Sequence, residues 1–262
     1  MISSRTLTDS AGLERVQYFP RQLLTADDMR AEQEYFRQKL RRHNRFLHGW
    51  GVVCGCEVTQ ADPGTHGPWR VWLCPGYVVT PHGDEIWIQD KFLFDLTGDR
   101  HQAAAPCEPH PCPPSGRAAA IEANRTLFLA VRYVECDARP VRVHPVGCAC
   151  DEAACEYSRV RESFELALLT EVPEVHEKAA KADADWCQEL QQWAKEGRSA
   201  APPTPACPAC SDEAWVVLAA VTRRRVGNGE VLDIRYHHPD SEPTWKRRVL
   251  YSAAALRFCC EE

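Results

Sequence analysis

The chain of 262 residues is 44% hydrophobic and 26% charged, which is typical of a folded globular protein and excludes a largely disordered or fibrous chain. Its formal net charge of −6 argues against nucleic acid as a partner, because an acidic surface repels phosphate. The longest apolar run, Trp215 to Val221, is far shorter than the roughly 20 residues that span a bilayer, so we expect no transmembrane segment. No apolar signal segment follows Met1, which predicts a cytoplasmic protein with reduced cysteines.

The N-terminal part is predicted to be a flexible leader, residues 1–15, followed by a docking helix within residues 16–48. Thr25 can cap the helix, and Asp27 and Asp28 suit the positive end of its dipole. At 100° per residue the helix has an apolar stripe and, on its other side, an arginine face. The stripe consists of Met29, Phe36, Leu40, His43 and Leu47, and the arginine face of Arg30, Arg37, Arg41 and Arg45. The stripe must dock on the chain's own domain or on another subunit, and Met29, Phe36, Leu40 and Leu47 are the predicted docking residues. We expect the arginine face to be solvated.

Residues 49–96 are predicted to form a first β region with antiparallel pairing. Alternating side chains predict one strand from Val52 to Val58, with Val52, Cys54, Cys56 and Val58 on one face. Three further strands are predicted: Trp69 to Cys74, Tyr77 to Thr80 and Glu85 to Gln89. Turn residues between 81 and 84 separate the last two.

Residues 97–118 are rich in proline and are predicted to be a long loop containing cysteines, and residues 119–262 a second β region. The second region contains strand patterns at 126–136, 163–170, 215–222 and 231–236, the last two joined by a turn at 227–229. An amphipathic helix is predicted at 174–196. The fold class is therefore α+β, mainly β: an N-terminal helix, antiparallel meander or sandwich regions, a second helix and Cys-rich loops.

Fourteen cysteines in a chain expected to be reduced suggest metal binding. Zinc prefers a tetrahedron of thiolates and imidazoles, and two groups of loop residues could supply one. The first group is Cys148, Cys150 and Cys155 with Cys136 or His144, and the second is Cys107 and Cys112 with Cys207 and Cys210. Structural zinc is thus predicted among these nine residues, with disulfides or unligated loop cysteines as the alternatives.

Other cysteines and histidines are interpreted as structural. Cys54, Cys56 and Cys74 lie in strand patterns, where cysteine packs as a small hydrophobic residue. His43 and His48 lie at the end of the first helix and are predicted to be satisfied structural histidines rather than catalytic groups. No phosphate loop, nucleophile elbow or dinucleotide fingerprint occurs, so no enzymatic activity is expected.

One segment resembles a known family. The residues are Tyr18-Phe19, Leu23 to Asp28, and above all His43-Asn44-Arg45-Phe46-Leu47-His48-Gly49-Trp50-Gly51-Val52-Val53-Cys54-Gly55, with weaker similarity at 75–78, 83–86 and 156–166. They are similar to bacterial proteins encoded beside the sheath, tube and baseplate genes of phage-tail-like contractile injection systems.

The resemblance implies a non-enzymatic structural or adaptor subunit at one end of such a particle, in its baseplate or cap. Its expected partners are sheath, tube or baseplate proteins and further copies of itself in a ring, within a cytoplasmic particle that is later released or membrane-attached. Two alternatives remain open. One is a β-rich module that binds a surface glycan or receptor, for which Trp69, Trp72 and Trp87 are the candidate contacts. The other is a zinc-dependent hydrolase.

Overall fold

A computed structural model describes residues 12–97, 115–117, 125–143, 154–197, 201–208, 212–226, 229–238 and 245–251. Three α-helices are found in these ranges: α1 (Ala26–His43), the short α2 (Pro63–His66) and α3 (Glu174–Lys195). A π-helical turn, Asn44–His48, follows α1 directly. The remaining elements are strands in mostly antiparallel sheets, which confirms the predicted mainly β, α+β class.

The first β region folds into two three-stranded antiparallel sheets. One sheet has the order β1-β4-β5, made of β1 (Gly51–Gly55), β4 (Gly76–Val79) and β5 (Glu85–Ile88). The other has the order β2-β3-β6, made of β2 (Val58–Gln60), β3 (Arg70–Leu73) and β6 (Phe92–Asp95). Strands that are consecutive in the sequence therefore do not always pair with each other. Strand β6 was not among the predicted strands.

The single strand predicted from Val52 to Val58 is wrong, because the chain turns between β1 and β2. Gly55 and Cys56 adopt φ values of 60° and 55°, in the left-handed region that ends a strand. A Cβ on Gly55 would lie 2.1 Å from the carbonyl oxygen of Pro75, so only glycine fits there. As a consequence Cys56 is fully buried, whereas Cys54 is exposed and does not pack in the core as predicted.

The second β region forms a five-stranded sheet of order β11-β10-β8-β9-β7. Its strands are β7 (Ser115–Arg117), β8 (Thr126–Val143), β9 (Ala154–Leu169), β10 (Val216–Val226) and β11 (Gly229–Arg235). Strands β8 and β9 make a long antiparallel hairpin, and β7 lies parallel to β9. Two short strands, β12 (His237–His238) and β13 (Trp245–Lys246), pair with each other beyond the sheet. Strand β7 falls within the predicted Pro- and Cys-rich loop, 97–118, whose residues 98–114 and 118 lie outside the described part.

One core joins the two β regions. Buried side chains from the small sheets, such as Leu73 and Ile88, lie in the same cluster as Leu129, Leu166 and Leu218 of the five-stranded sheet. Helix α3 is confirmed at its predicted position, and its first turns pack on this cluster through Val175 and Ala179. The only buried residue of α3 is His176. Trp186, Leu190 and Trp193, which lie on the same apolar side of α3 as Val175 and Ala179, are half-buried.

Candidate docking surface

The start of α1 is fixed by Thr25, the predicted cap, which forms a capping box with Asp28. The backbone N–H of Asp28 donates to the Thr25 hydroxyl over 3.2 Å, and the Asp28 carboxylate accepts from the Thr25 N–H over 2.8 Å. The hydrogen bonds that the Thr25 N–H and the Thr25 hydroxyl donate to the Asp28 carboxylate hold the pKa of Asp28 below its usual range. The helix therefore begins at a defined residue, although nothing in it is buried.

Three arginines of α1 and the following turn attach the helix to the rest of the protein. The Arg41 side chain donates to Asp84, in the β4–β5 turn, over 2.6 Å. Arg37 forms an ion pair with Glu135 of β8. Arg45 donates to the carbonyl oxygen of Pro208 over 2.7 Å. The prediction of a solvated face is therefore wrong for these three arginines, whereas Arg30, with its side chain 75% exposed, is solvated as predicted.

Asn44 anchors the end of the helix. Its side chain is 6% exposed, and its amide donates to the Gly83 carbonyl and to the Glu85 carboxylate, each over 2.9 Å. The Gly49 N–H closes the π turn by donating to the Asn44 carbonyl over 2.9 Å. Because a buried amide without partners is costly, these bonds fix the turn and with it the rotation of α1.

The apolar stripe consequently faces solvent. The four predicted docking residues are all exposed, at 46% for Met29, 58% for Phe36, 49% for Leu40 and 71% for Leu47. Five more exposed apolar side chains lie just before the helix or in the π turn, and we call all nine the N-terminal apolar surface. The additional members are Tyr18, Phe19, Leu23, Leu24 and Phe46. Exposure of the stripe is a structural fact, whereas docking of a partner there stays a prediction.

His43 and His48 lie beside this surface. Both are exposed, and their Nε2 atoms are 3.2 Å apart. They satisfy each other, as structural histidines would, but they are not packed into the protein. The residue of this segment that is buried and bonded to the body is Asn44, which sequence reasoning did not select.

Most of the residues proposed as zinc ligands lie outside the described part. They are Cys107, Cys112, His144, Cys148, Cys150 and Cys210, and the side chain of Cys155, which belongs to β9. Cys207 is an exposed free thiol. Cys136, in β8, is disulfide-bonded, so it is not available as a zinc ligand, and the prediction of reduced cysteines is wrong for this residue. Within the described ranges no three His, Cys, Asp or Glu side chains are grouped to hold a metal ion. Zinc at the cysteine loops stays a prediction.

The tryptophans considered for glycan binding do not form an exposed cluster. The ring of Trp69 lies under the Arg223 guanidinium at 4.6 Å, and Trp72 lies under the Lys91 ammonium at 4.6 Å. Both are half-buried, and Trp87, at 67%, is the exposed member of the three. Trp72 belongs to β3 and Trp87 to β5, which are in different sheets.

A largely apolar groove of about 760 Å³ lies between β1 and the described residues 236–237 and 245–249. Cys54 is part of its lining, and the buried Cys56 follows two residues later in the chain. Burial raises the pKa of the Cys56 thiol to about 12, which keeps that thiol protonated and unreactive. Cys56 is therefore not a candidate nucleophile beside this groove.

No family model matches the chain, and no curated protein matches it. Among solved structures it is similar to a crystal structure of TssK, with a TM-score of 0.35 and 12% identity. The match covers 85% of this chain and 41% of that chain, so this chain spans less than half the length of its neighbour. A TM-score of this size carries no functional argument. In the described residues no helix is long and apolar enough to cross a membrane.

Proposed function

We propose that this chain is a non-enzymatic structural or adaptor subunit at one end of a contractile, phage-tail-like particle, in the baseplate or cap. The observation that carries the proposal is the orientation of α1. The helix binds the body through Arg37 and Arg41 and leaves its apolar stripe in solvent. Apolar side chains aligned along one exposed side of a helix favour burial against a partner, because leaving them in water is unfavourable.

The segment that resembles the injection-system proteins is the one that positions this surface. It contains the buried Asn44, the π turn and Trp50, whose side chain is buried in the core. The resemblance supports sheath, tube or baseplate subunits as partners. It also supports a ring of identical copies in a cytoplasmic particle, since a ring would present one N-terminal apolar surface per subunit to its neighbours.

Replacing Phe36 and Leu40 together by glutamate is expected to abolish incorporation into the particle. Two charges in the centre of the apolar stripe oppose burial against a partner, because a buried carboxylate without a counter-charge is strongly unfavourable. Both positions are exposed in the isolated chain, so its melting temperature should stay close to that of the wild type. Quantitative immunoblotting of purified particles against a sheath subunit measures incorporation.

The matched control is Ala31→Glu with Arg42→Gln, which changes the net charge by the same amount. Both positions are exposed and lie on the side of α1 away from the stripe. This control should be incorporated normally. Normal incorporation of the Phe36→Glu, Leu40→Glu variant would remove the N-terminal apolar surface from the docking role.

A further inference from the structure

The two histidines at the end of α1 face each other across the π turn. Their Nε2 atoms are 3.2 Å apart, their ring centres 5.0 Å apart, and the rings are inclined by 62°. In an α-helix, residues five positions apart point about 140° away from each other. The wider π turn, with its hydrogen bond over five residues, brings His43 and His48 to the same side.

The backbone that carries the pair is fixed on both sides. Asn44 follows His43 directly and is held by Gly83 and Glu85 through its side chain. Gly49 follows His48 directly, has a φ of 81° and donates its N–H to the Asn44 carbonyl. The two imidazoles therefore extend from a preorganised turn, which lowers the entropic cost of holding them around a shared ligand.

The two separations fit a pair of ligands on one metal ion. Zn–N distances of 2.0–2.1 Å and tetrahedral angles place two ligand nitrogens about 3.3 Å apart and their ring centres about 5.2 Å apart. In the metal-free chain the same separation allows one imidazole to donate a hydrogen bond to the other. We propose that His43 and His48 together bind one divalent transition-metal ion, Zn²⁺ foremost, through their Nε2 atoms.

Imidazole suits zinc, copper and nickel, and a two-histidine site leaves coordination positions open. Among the described residues no carboxylate or thiolate joins the pair to make a group of three ligands. The open positions are therefore available to water in the isolated chain and to side chains of another subunit in an assembly. The proposed ligands, His43 and His48, belong to a different segment of the chain from the residues of the two predicted cysteine-loop sites.

The test is a zinc titration of the full chain labelled with ¹⁵N-histidine, followed by NMR of the imidazole nitrogens. His43→Ala and His48→Ala assign the two signals. In the wild type both Nε2 signals should move together and saturate within about ten equivalents of zinc. Each alanine variant should weaken binding by at least about tenfold, since even indirect supports of metal ligands are worth that much.

His237→Ala is the control, because His237 is exposed and its loss should leave the response of His43 and His48 unchanged. Both test positions are also exposed, so the variants should keep the wild-type melting temperature. Signals that stay in place with excess zinc, or that move for one histidine alone, would overturn the proposal. Since the titration uses the isolated chain, its outcome is independent of whether the chain joins a particle.

Discussion

Gly83→Ala is expected to lower the free energy of unfolding by about 3 kcal/mol. Gly83 has a φ of 89°, where a side chain is strained, and its Cβ would lie 2.2 Å from the Arg41 carbonyl oxygen in α1. To make room, α1 must move away from the β4–β5 turn, which breaks the bonds of Asn44 and the ion pair between Arg41 and Asp84. Chemical denaturation measures the loss.

Gly67→Ala separates the two causes. Gly67 has nearly the same φ, 87°, but nothing lies within 4 Å of a Cβ built on it. This control should therefore cost only the backbone strain, about 1–2 kcal/mol. Hydrogen exchange should show faster exchange of α1 amides in Gly83→Ala and not in Gly67→Ala. Equal losses of stability in both variants would contradict the close docking of α1 on the turn.

The protein should lose about 2 kcal/mol of stability between pH 7.5 and pH 5, and about 3 kcal/mol by pH 4, through His176 alone. This residue is 5% exposed, the Trp50 ring lies edge-on at 4.7 Å, and its Nε2 accepts the Val217 N–H over 3.2 Å. The pKa of His176 is lowered to about 4, mainly by burial and to a smaller extent by the positive charge of Arg248. A hydrogen bond to the Trp215 carbonyl acts in the opposite direction and raises the pKa. The neutral imidazole is the form that the fold accommodates.

The direction of the pH effect follows from this shift. As the pH falls below about 6.5, an unfolded chain protonates His176 while the native protein does not, so protons favour unfolding until the native pKa is reached. His176→Gln should show a flatter stability profile between pH 7.5 and 5. Denaturation curves at several pH values provide the measurement, and the same slope in both proteins would show that His176 is not responsible.

Local signals in the sequence predicted α1 and α3 well. Thr25 caps α1 as predicted, and α3 occupies its predicted range. The orientation of α1 could not be predicted, because an amphipathic pattern shows two faces without showing which one meets the body. That choice depends on Asp84 and Glu135, which are distant in sequence and brought to the helix by the sheets.

The β regions show a second limit of pattern analysis. Alternation continues through Gly55 and Cys56 as if β1 and β2 were one strand, although both residues adopt positive φ. The ends of β8 and β9 were missed for the opposite reason. The missed parts, 137–143 and 154–162, carry charged residues such as Asp137, Arg159 and Glu162, so no continuous apolar alternation marks them.

His176 was also missed, and its signal lies in tertiary structure. The residue follows Val175, on the apolar side of α3, directly in sequence. A histidine in the first turn of a helix is usually expected to be exposed to solvent. Its burial depends on contacts that form only in the folded protein: β10 places the Val217 N–H beside the imidazole, and the Trp50 ring packs edge-on against it. Likewise, the role of Asn44 depends on Gly83 and Glu85, which contact it across the fold.

Hydroxyl-radical footprinting of the isolated, monomeric chain and of the assembled particle tests the central claim most directly. The claim is that α1 presents its apolar stripe to another subunit. Met29 and Phe36 should be oxidised readily in the isolated chain, where both are exposed, and become protected in the particle. Trp50, which is buried in the core, should be protected in both states. Equal oxidation of Met29 and Phe36 in the two states, or protection already in the isolated monomer, would contradict the account.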